Sequence, residues 1–263
     1  MTESNQKEST RPIDIIGDVH GCFDELAEML DKLGYAIDMT KGDDPAAYPE
    51  GRWSLRHPEG RLPVFLGDLC DRGPYTPKCF SLVADAWDAG DALCVCGNHE
   101  GQLLRRLTGK PTMFMYGLDE TVEELGSLPP EFSARMIKFM ADLPIHYVFG
   151  EERLVVVHAG IIEARMGISP LFIDDFCVYG NSTGKNLKYG LPERYLWAQD
   201  YRGEAMVVYG HIPVPEPQFL GRTLCIDTGC VYGGSLTAYR YPEGELVSVP
   251  AGKKYAERGN YIS

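Results

Sequence analysis

The chain has 263 residues, 44 % of them hydrophobic, and a formal net charge of −13. That length sits near the upper size for one hydrophobic core, so a single α/β domain is expected, and no uninterrupted apolar run approaches the roughly 18 residues of a membrane-spanning helix. The acidic balance speaks against stable binding to long nucleic acids, whose affinity comes mostly from Lys and Arg contacts to phosphates.

The polar stretch 1–11, MTESNQKESTR, has no apolar signal core and is expected to be a disordered tail on a cytoplasmic protein. Residues 12–263 then make up the expected domain. Residues Ile13 to Ile16 read as a buried strand, and Phe23 to Leu33 repeats Leu26, Met29, Leu30 and Leu33 at helical spacing, with Asp24 and Glu25 in its first turn. Residues 39–63, rich in Gly, Pro and charge, form an exposed loop or hairpin excursion before the apolar run Leu62 to Leu66. A helix over Lys78 to Ala89, carrying Phe80, Leu82, Val83 and Trp87, leads to a strand over Ala92 to Cys96. This β-α-β alternation predicts a largely parallel sheet.

Amphipathic helices around Glu120 to Leu125 and Glu131 to Met140 predict a helical cap spanning about 110–143. Strand-like runs follow at Tyr147 to Phe149, Leu154 to Val157, Ala205 to Val208, Thr223 to Ile226 and Ser235 to Tyr239. The connection from Ile162 to Tyr201 is irregular and Gly-dotted, and no element is assigned to it. The eight cysteines include no CxxC pair and several sit in apolar runs, so reduced thiols are expected. Cys22, Cys70 and Cys230 adjoin polar motifs but read best as small buried hydrophobes.

The strand endings share a chemistry: IDIIGDVHG, PVFLGDLCDRGP, LCVCGNHEG, LVVVHAG and AMVVYGHIPV each run from apolar residues into Gly, Asp, Asn or His. In open α/β sheets ligands bind outside the carboxyl ends of the strands, so these groups would converge on one rim. Singly each has a plainer explanation. Asp18 and Asp68 suit helix caps, Asn98 suits the start of a helix at HEGQLLRRL, and one histidine is more often a hydrogen-bonded core residue than a ligand. Capping alone, however, predicts no bias toward His and Asn across five endings. Asp18 and His20 stand two apart and point the same way in extended chain. With Asp68, Asn98, His158 and His211 they form a set of oxygen and imidazole donors that suits manganese, iron or zinc.

The ordered set GDVHG, GDLCDRG, GNHE, HAG and YGH, from Gly17 to His211, resembles the metallophosphoesterase signature of the phosphoprotein phosphatase family. More narrowly, HGCFDEL, YGLDETVEEL, DYRGEAMVVYGHIPV and IDTGCVYGGSLTAYRYPEGELVSVPA resemble bacterial PrpE-type bis(5'-nucleosyl)-tetraphosphatases and the phosphatase module of bacterial polynucleotide kinase-phosphatases. No GxxxxGK[ST] phosphate loop accompanies them, so a free-standing phosphatase is expected. The resemblance implies a calcineurin-like α/β sandwich of two mixed β-sheets flanked by helices (αββα). It also implies two divalent ions, manganese first, with iron, zinc or nickel as alternatives. Asp18, His20 and Asp68 would hold the first, and Asp68, Asn98, His158 and His211 the second, Asp68 bridging.

Two cations sharing a water make hydroxide available near neutrality and clamp phosphoryl oxygens for in-line displacement. His99 would then protonate the leaving oxygen, with Asp71 orienting its imidazole, and Arg72 offers a planar fork to phosphate. Asn98 would also touch the phosphate. Arg194, or less aptly Arg202, would supply a second clamp. Asp227, in IDTG, reads equally as a partner behind a ligand histidine and as a turn-former. Ser182, in GNSTG, mimics a hydrolase nucleophile, but no amphipathic helix follows it.

The expected substrate is a small nucleotide or phosphoester, first a dinucleoside polyphosphate, with diadenosine tetraphosphate cleaved to ATP and AMP. Phosphomonoester hydrolysis, on phosphoproteins or RNA 2'/3' ends, is the second reading, and a non-catalytic metal-dependent binding protein the third. Trp53, Phe114, Tyr116 and Tyr179 are aromatic candidates for stacking on adenine, although core packing is their commoner fate.

Overall fold

A computed structural model describes residues 6–7, 11–48, 51–113, 115–150, 153–161, 175–180, 182–186, 192–194 and 196–257, with the backbone alone at 6–7, 182–186 and 192–194. The first half runs β1 (Gln6–Lys7), β2 (Ile13–Ile16), α1 (Phe23–Leu33), β3 (Ala36–Lys41), β4 (Gly51–Arg56), β5 (Leu62–Phe65), α2 (Thr76–Ala89), β6 (Leu93–Cys94), α3 (Asn98–Leu107), α4 (Leu118–Gly126) and α5 (Pro130–Asp142). The second runs β7 (His146–Phe149), β8 (Leu154–Val157), α6 (Asp175–Tyr179), β9 (Ser182–Asn186), β10 (Pro192–Arg194), β11 (Met206–Tyr209), β12 (Gln218–Leu220), β13 (Thr223–Cys225), β14 (Ser235–Tyr241) and β15 (Glu245–Pro250).

The β-α-β alternation read from the sequence does build parallel pairs: Ile16 of β2 lies beside Phe65 of β5, and Phe65 beside Cys94 of β6. The sheet is nevertheless mixed. Its order is β15-β14-β2-β5-β6, because β14, over 170 residues later in sequence, joins the free edge of β2 antiparallel and carries β15 with it. A second sheet, β1-β7-β8-β11-β13-β12, is parallel through β8, β11 and β13 and antiparallel at β7 and β12. The largely parallel sheet expected from local alternation thus becomes the two-sheet sandwich that the family resemblance implied.

Period-2 alternation sorts the side chains into three layers. Ile13, Ile15, Leu62 and Val64 meet Leu154, Val156, Val208 and Leu224 between the sheets. Ile16 and Phe65 face outward to the apolar sides of α1 and α2, while Val155, Val157 and Val207 face Trp197 and Cys177 on the far side. Strands buried on both faces need continuous apolar runs, which is what LVVV and MVVY supply.

Helix α1 buries Leu26, Met29, Leu30 and Leu33, as their spacing predicts. The excursion expected over 39–63 is largely the β3–β4 hairpin, which starts earlier, at Ala36, and is fastened to α2 by Arg52 at 2.9 Å from Asp85. Helices α4 and α5 lie where the helical cap is expected, and Phe139 of α5 packs edge-on against Phe80 and Trp87 of α2. Strand β6 is shorter than the apolar run Ala92 to Cys96, because the Cys96 N–H bonds Pro144 instead of continuing the ladder. All eight cysteines are free thiols. Among the described residues no helix is long and apolar enough to cross a membrane.

One buried ion cluster holds the start of the central strand. Asp14 of β2, fully buried, accepts from Arg61 at 2.7 and 2.9 Å, from Arg240 at 3.2 Å and from the Tyr35 hydroxyl at 2.8 Å. Removing the carboxylate leaves the buried Arg61 guanidinium with only Glu243 as a carboxylate partner. Asp14→Ala is therefore expected to lower unfolding free energy by about 3–5 kcal/mol in urea titration; a loss below about 1 kcal/mol would contradict the assignment.

Candidate metal centre

Six strand ends open on one rim, and they belong to both sheets. From the first sheet, β2 leads to Asp18 and His20, β5 to Asp68, Asp71 and Arg72, and β6 to Asn98 and His99. From the second, β8 leads to His158, β11 to His211 and β13 to Asp227. Parallel register does the gathering, since strands aligned side by side must end side by side.

Asp68 lies at the centre. Its Oδ2 is 3.5 Å from His20 Nε2, and its Oδ1 is 3.5 Å from His158 Nε2. Around the second oxygen, Asn98 Oδ1 stands 3.0 Å from His158 Nε2 and 2.8 Å from His211 Nδ1, and those two nitrogens are 3.1 Å apart. Asp18 accepts the His211 backbone N–H at 3.1 Å through Oδ2, while its Oδ1 is buried with no hydrogen-bond partner among the described residues. Asn98 does begin α3, but its amide oxygen points to the two histidines and Gly97 takes the cap position.

Two histidines are aimed by backbone carbonyls. Nδ1 of His20 lies 2.8 Å from the Cys70 carbonyl, and Nδ1 of His158 lies 2.8 Å from the Leu66 carbonyl. A carbonyl only accepts, so each Nδ1 carries the hydrogen, and each ring, when neutral, would offer Nε2 as its inward ligand atom. Burial, together with the nearby Arg72 guanidinium, holds His20 well below its usual range and hence neutral. Burial pushes Asp68 up to about 7, with Asp227 adding repulsion, and raises Asp18 well above the carboxylate range, with Asp227 and Asp68 adding to it.

Such a cluster lacks positive charge. Imidazoles, an amide oxygen and carboxylates of which one oxygen is orphaned among the described residues are the donors of a divalent-cation site, and both His20–Asp68–His99 and Asp68–His158–His211 have the spacing to ligate one. The residues therefore fit a pair of divalent ions.

Beside it lies an acid pair. His99 Nδ1 is 2.6 Å from Asp71 Oδ2, both fully buried, and His99 Nε2 has no hydrogen-bond partner. Burial and Arg72 hold the imidazole well below its usual range, while burial pushes Asp71 up to about 7. Arg72 reaches His20 Nε2 at 2.5 Å and lies over the Tyr232 ring, 5.5 Å from its centroid. Asp227 Oδ1 accepts the Gly229 N–H at 3.0 Å, which bears out the turn, and its charge still acts on Asp18 and Asp68.

Other expectations fall elsewhere. Arg202 donates to the carbonyls of Gln199 and Tyr201 at 2.8 and 2.9 Å, closing its own loop. The side chains of Arg194 and Ser182 and all of Phe114 lie outside the described residues; the backbone of Ser182 starts strand β9 instead of the strand-turn-helix a nucleophile elbow needs. Trp53 packs on Phe23 and donates to the Tyr48 carbonyl, and the Tyr179 hydroxyl accepts from Gln102 at 2.7 Å.

The backbone registers the same site. Among the described residues, the non-glycine positions with positive φ are His20, Asp68, Asp71, Arg72 and His211, at 45 to 72°. That region costs an ordinary side chain about 1–3 kcal/mol and persists only where surroundings enforce it. Close approach adds to it: a Cβ on Gly210 would overlap the Asp18 carboxylate, and one on Gly97 that of Asp68.

A family model described as calcineurin-like phosphoesterase matches residues 11–243. The chain belongs to that family and is a phosphoester hydrolase of the metallophosphoesterase type. It is 43 % identical to the bis(5'-nucleosyl)-tetraphosphatase PrpE [asymmetrical] of Halalkalibacterium halodurans, over 90 % of this chain and 93 % of that one. It is 42 % identical to the protein of the same description from Bacillus subtilis, over 93 % and 96 %. Its fold is shared with a crystal structure of a candidate diadenosine tetraphosphatase, at a TM-score of 0.64 and 24 % identity, covering 94 % and 96 % of the two chains. A serine/threonine phosphatase of Saccharomyces cerevisiae has the same fold at a TM-score of 0.57 and 14 % identity, covering 97 % and 84 %.

Glu100 went unassigned in the sequence reading. Its fully buried carboxylate accepts the N–H groups of Asp68 and Leu69, each at 2.7 Å, and of Gly97 at 3.0 Å, so it ties the Asp68 turn to the Asn98 turn. A glutamate three residues into a helix is the sequence sign of such a cap, here extended to a second turn. Glu100→Gln puts an NH₂ group against one of those N–H donors. Metal affinity and kcat/KM are expected to fall about 10- to 100-fold while the protein stays folded; values within twofold of wild type would show that the link does not position Asp68.

Proposed function

We propose that this chain hydrolyses dinucleoside tetraphosphates asymmetrically, diadenosine tetraphosphate to ATP and AMP, in the cytoplasm and with manganese as its metal. The observation that carries the reading is the double cluster around Asp68, joined to a buried His99–Asp71 pair and to Arg72. The tetraphosphatase relatives supply the substrate. The carboxylate, amide and imidazole donors suit manganese, iron or zinc alike, and manganese is placed first on the family resemblance, with nickel a further alternative.

Asp18, His20 and Asp68 hold one ion, and Asp68, Asn98, His158 and His211 the other. When bound, the two ions supply a water of lowered pKa and positive charge against the phosphoryl oxygens. Arg72 holds a further phosphoryl oxygen with its planar fork, Asn98 adds its amide, and Arg194 is assigned the second clamp. Asp227 lends negative charge behind Asp18.

His99 delivers the proton. Its pair with Asp71 holds the same protons whether written as imidazolium with carboxylate or as imidazole with carboxylic acid, and in both forms Nε2 carries a hydrogen. Donation from Nε2 leaves Asp71 ionised against a neutral His99, so the pair passes from no net charge to one negative charge. Intact Asp71, Arg72 and His99 count against a protein that merely binds metal, which does not need them.

Two measurements test this. Products of diadenosine tetraphosphate resolved by chromatography are expected to be ATP and AMP in equal amounts. ADP alone would overturn the asymmetry, and no cleavage alongside turnover of p-nitrophenyl phosphate would leave the monoesterase reading. His99→Ala is expected to slow alkyl phosphates by about 10²- to 10⁴-fold and p-nitrophenyl phosphate far less, because nitrophenolate leaves without a proton. Equal losses on both substrates would remove the acid role.

A further inference from the structure

A cavity of about 350 Å³ opens beside Arg72, between the start of α4 and the segment near the end of the described chain. Its volume lies at the lower end of small-molecule sites, about 300–1,000 Å³, suiting one nucleoside rather than two. Two aromatic rings line it: Tyr116, 55 % exposed, and Tyr232, whose ring lies under the Arg72 guanidinium. Carboxylates of Glu120, Glu124 and Glu257 line it as well.

The charge layout sorts a nucleotide end from end. Three carboxylates repel phosphate but accept hydrogen bonds from an amino group, whereas Arg72 at the inner edge attracts phosphate. One carboxylate has capacity to spare, since Glu124 Oε2 is buried without a hydrogen-bond partner among the described residues. Burial and the nearby Asp71 raise the Glu124 pKa, so this carboxyl gains from a donor placed against it.

We propose that this cavity binds the purine base of one nucleoside of the substrate, its face against Tyr116 and Tyr232 and its exocyclic amino group donated to Glu124. The inference rests on the nucleotide reading of the active site. Because Arg72 lines both places, the phosphate nearest the bound nucleoside is the one that meets its guanidinium. In the ensuing step a bond forms from the water oxygen to that α-phosphorus as the water gives up a proton to solvent, from which the His99–Asp71 pair later regains one, and the bond from the phosphorus to the bridging oxygen breaks. The electron pair leaves on the ATP product, which takes the proton of His99 Nε2. The cut is thereby asymmetrical, and the oxygen from water ends in AMP.

Inhibition of p-nitrophenyl phosphate hydrolysis tests the cavity without relying on dinucleotide turnover. With wild-type protein, AMP is expected to inhibit with a constant about tenfold lower than ribose 5-phosphate, which lacks the base, and several-fold lower than IMP, which lacks the amino group. Tyr116→Ala is expected to bring AMP and ribose 5-phosphate within threefold of each other, and Glu124→Ala to erase the preference for AMP over IMP. Equal constants for AMP and ribose 5-phosphate in wild type, or a wild-type ratio in Tyr116→Ala, would overturn the cavity even if diadenosine tetraphosphate is cleaved. Failure to cleave diadenosine tetraphosphate while AMP binds with this preference would instead reject the dinucleotide substrate and leave the base pocket standing. Where cleavage occurs in ¹⁸O-water, label in AMP is expected, and label in ATP would overturn the placement.

Discussion

Buried negative charge is the constraint on which this rim depends. Asp18, Asp68, Asp71, Glu100 and Asp227 are each at most 6 % exposed and come together where strands of two sheets end. Three of them find partners within the chain: Glu100 takes three backbone N–H groups, Asp71 takes His99, and Asp227 takes the Gly229 N–H. Asp18 and Asp68 accept one backbone N–H each as well, from His211 and His99 respectively, yet burial lifts both, with repulsion on Asp18 from Asp227 and Asp68 and on Asp68 from Asp227 and Asp71. Burial keeps His20 neutral, so imidazole does not supply the missing charge, and Arg72 alone is not enough for both. Divalent cations complete the balance, and the same charges that bind them are what a phosphoester needs opposite its oxygens.

The strained backbone follows from that arrangement. To aim several short side chains at a common point, the chain must turn back immediately after each strand, and His20, Asp68, Asp71, Arg72 and His211 do so with positive φ. Hydrogen bonds between turns enforce the conformation: the N–H groups of Val19 and His20 both bond the Asp68 carbonyl at 3.1 and 2.7 Å, and Glu100 closes the next junction. Glycines at 97 and 210 make the room, since a methyl group at either place would occupy carboxylate space.

What the sequence made legible was whatever is local. Strand-ending Asp18, His20, Asp68, Asn98, His158 and His211 announced themselves, because an apolar run that stops in a ligand-type residue is visible in nine or ten letters. Pairing across the sheets was not, so β14 inserting beside β2 turned the expected parallel sheet into a mixed one. Glu100 was hidden by its ordinary place in a helix, its role depending on a turn more than thirty residues earlier. Tyr232 and Glu124 stand inside stretches that resemble the tetraphosphatases, but those letters assign them no role, and only tertiary contact brings them to one cavity. Conversely, Arg202 and Trp53 advertised chemistry by residue type, yet each is hydrogen-bonded to a neighbouring loop carbonyl.

Helix α4 couples the acid pair to the cavity. Its N-cap, Gly117, sits at φ 89° so close to Arg72 that a Cβ would overlap the Arg72 backbone nitrogen. One turn on, the buried Thr121 lowers the Asp71 pKa against the rise from burial, and one further residue row along, Glu124 lines the cavity. A single helical face, with residues three and four apart, therefore lies against Arg72, against the Asp71 carboxylate that pairs with His99, and against the proposed base pocket. Substitutions along this face of α4 are therefore placed to act on Arg72, on Asp71 and on the proposed pocket together.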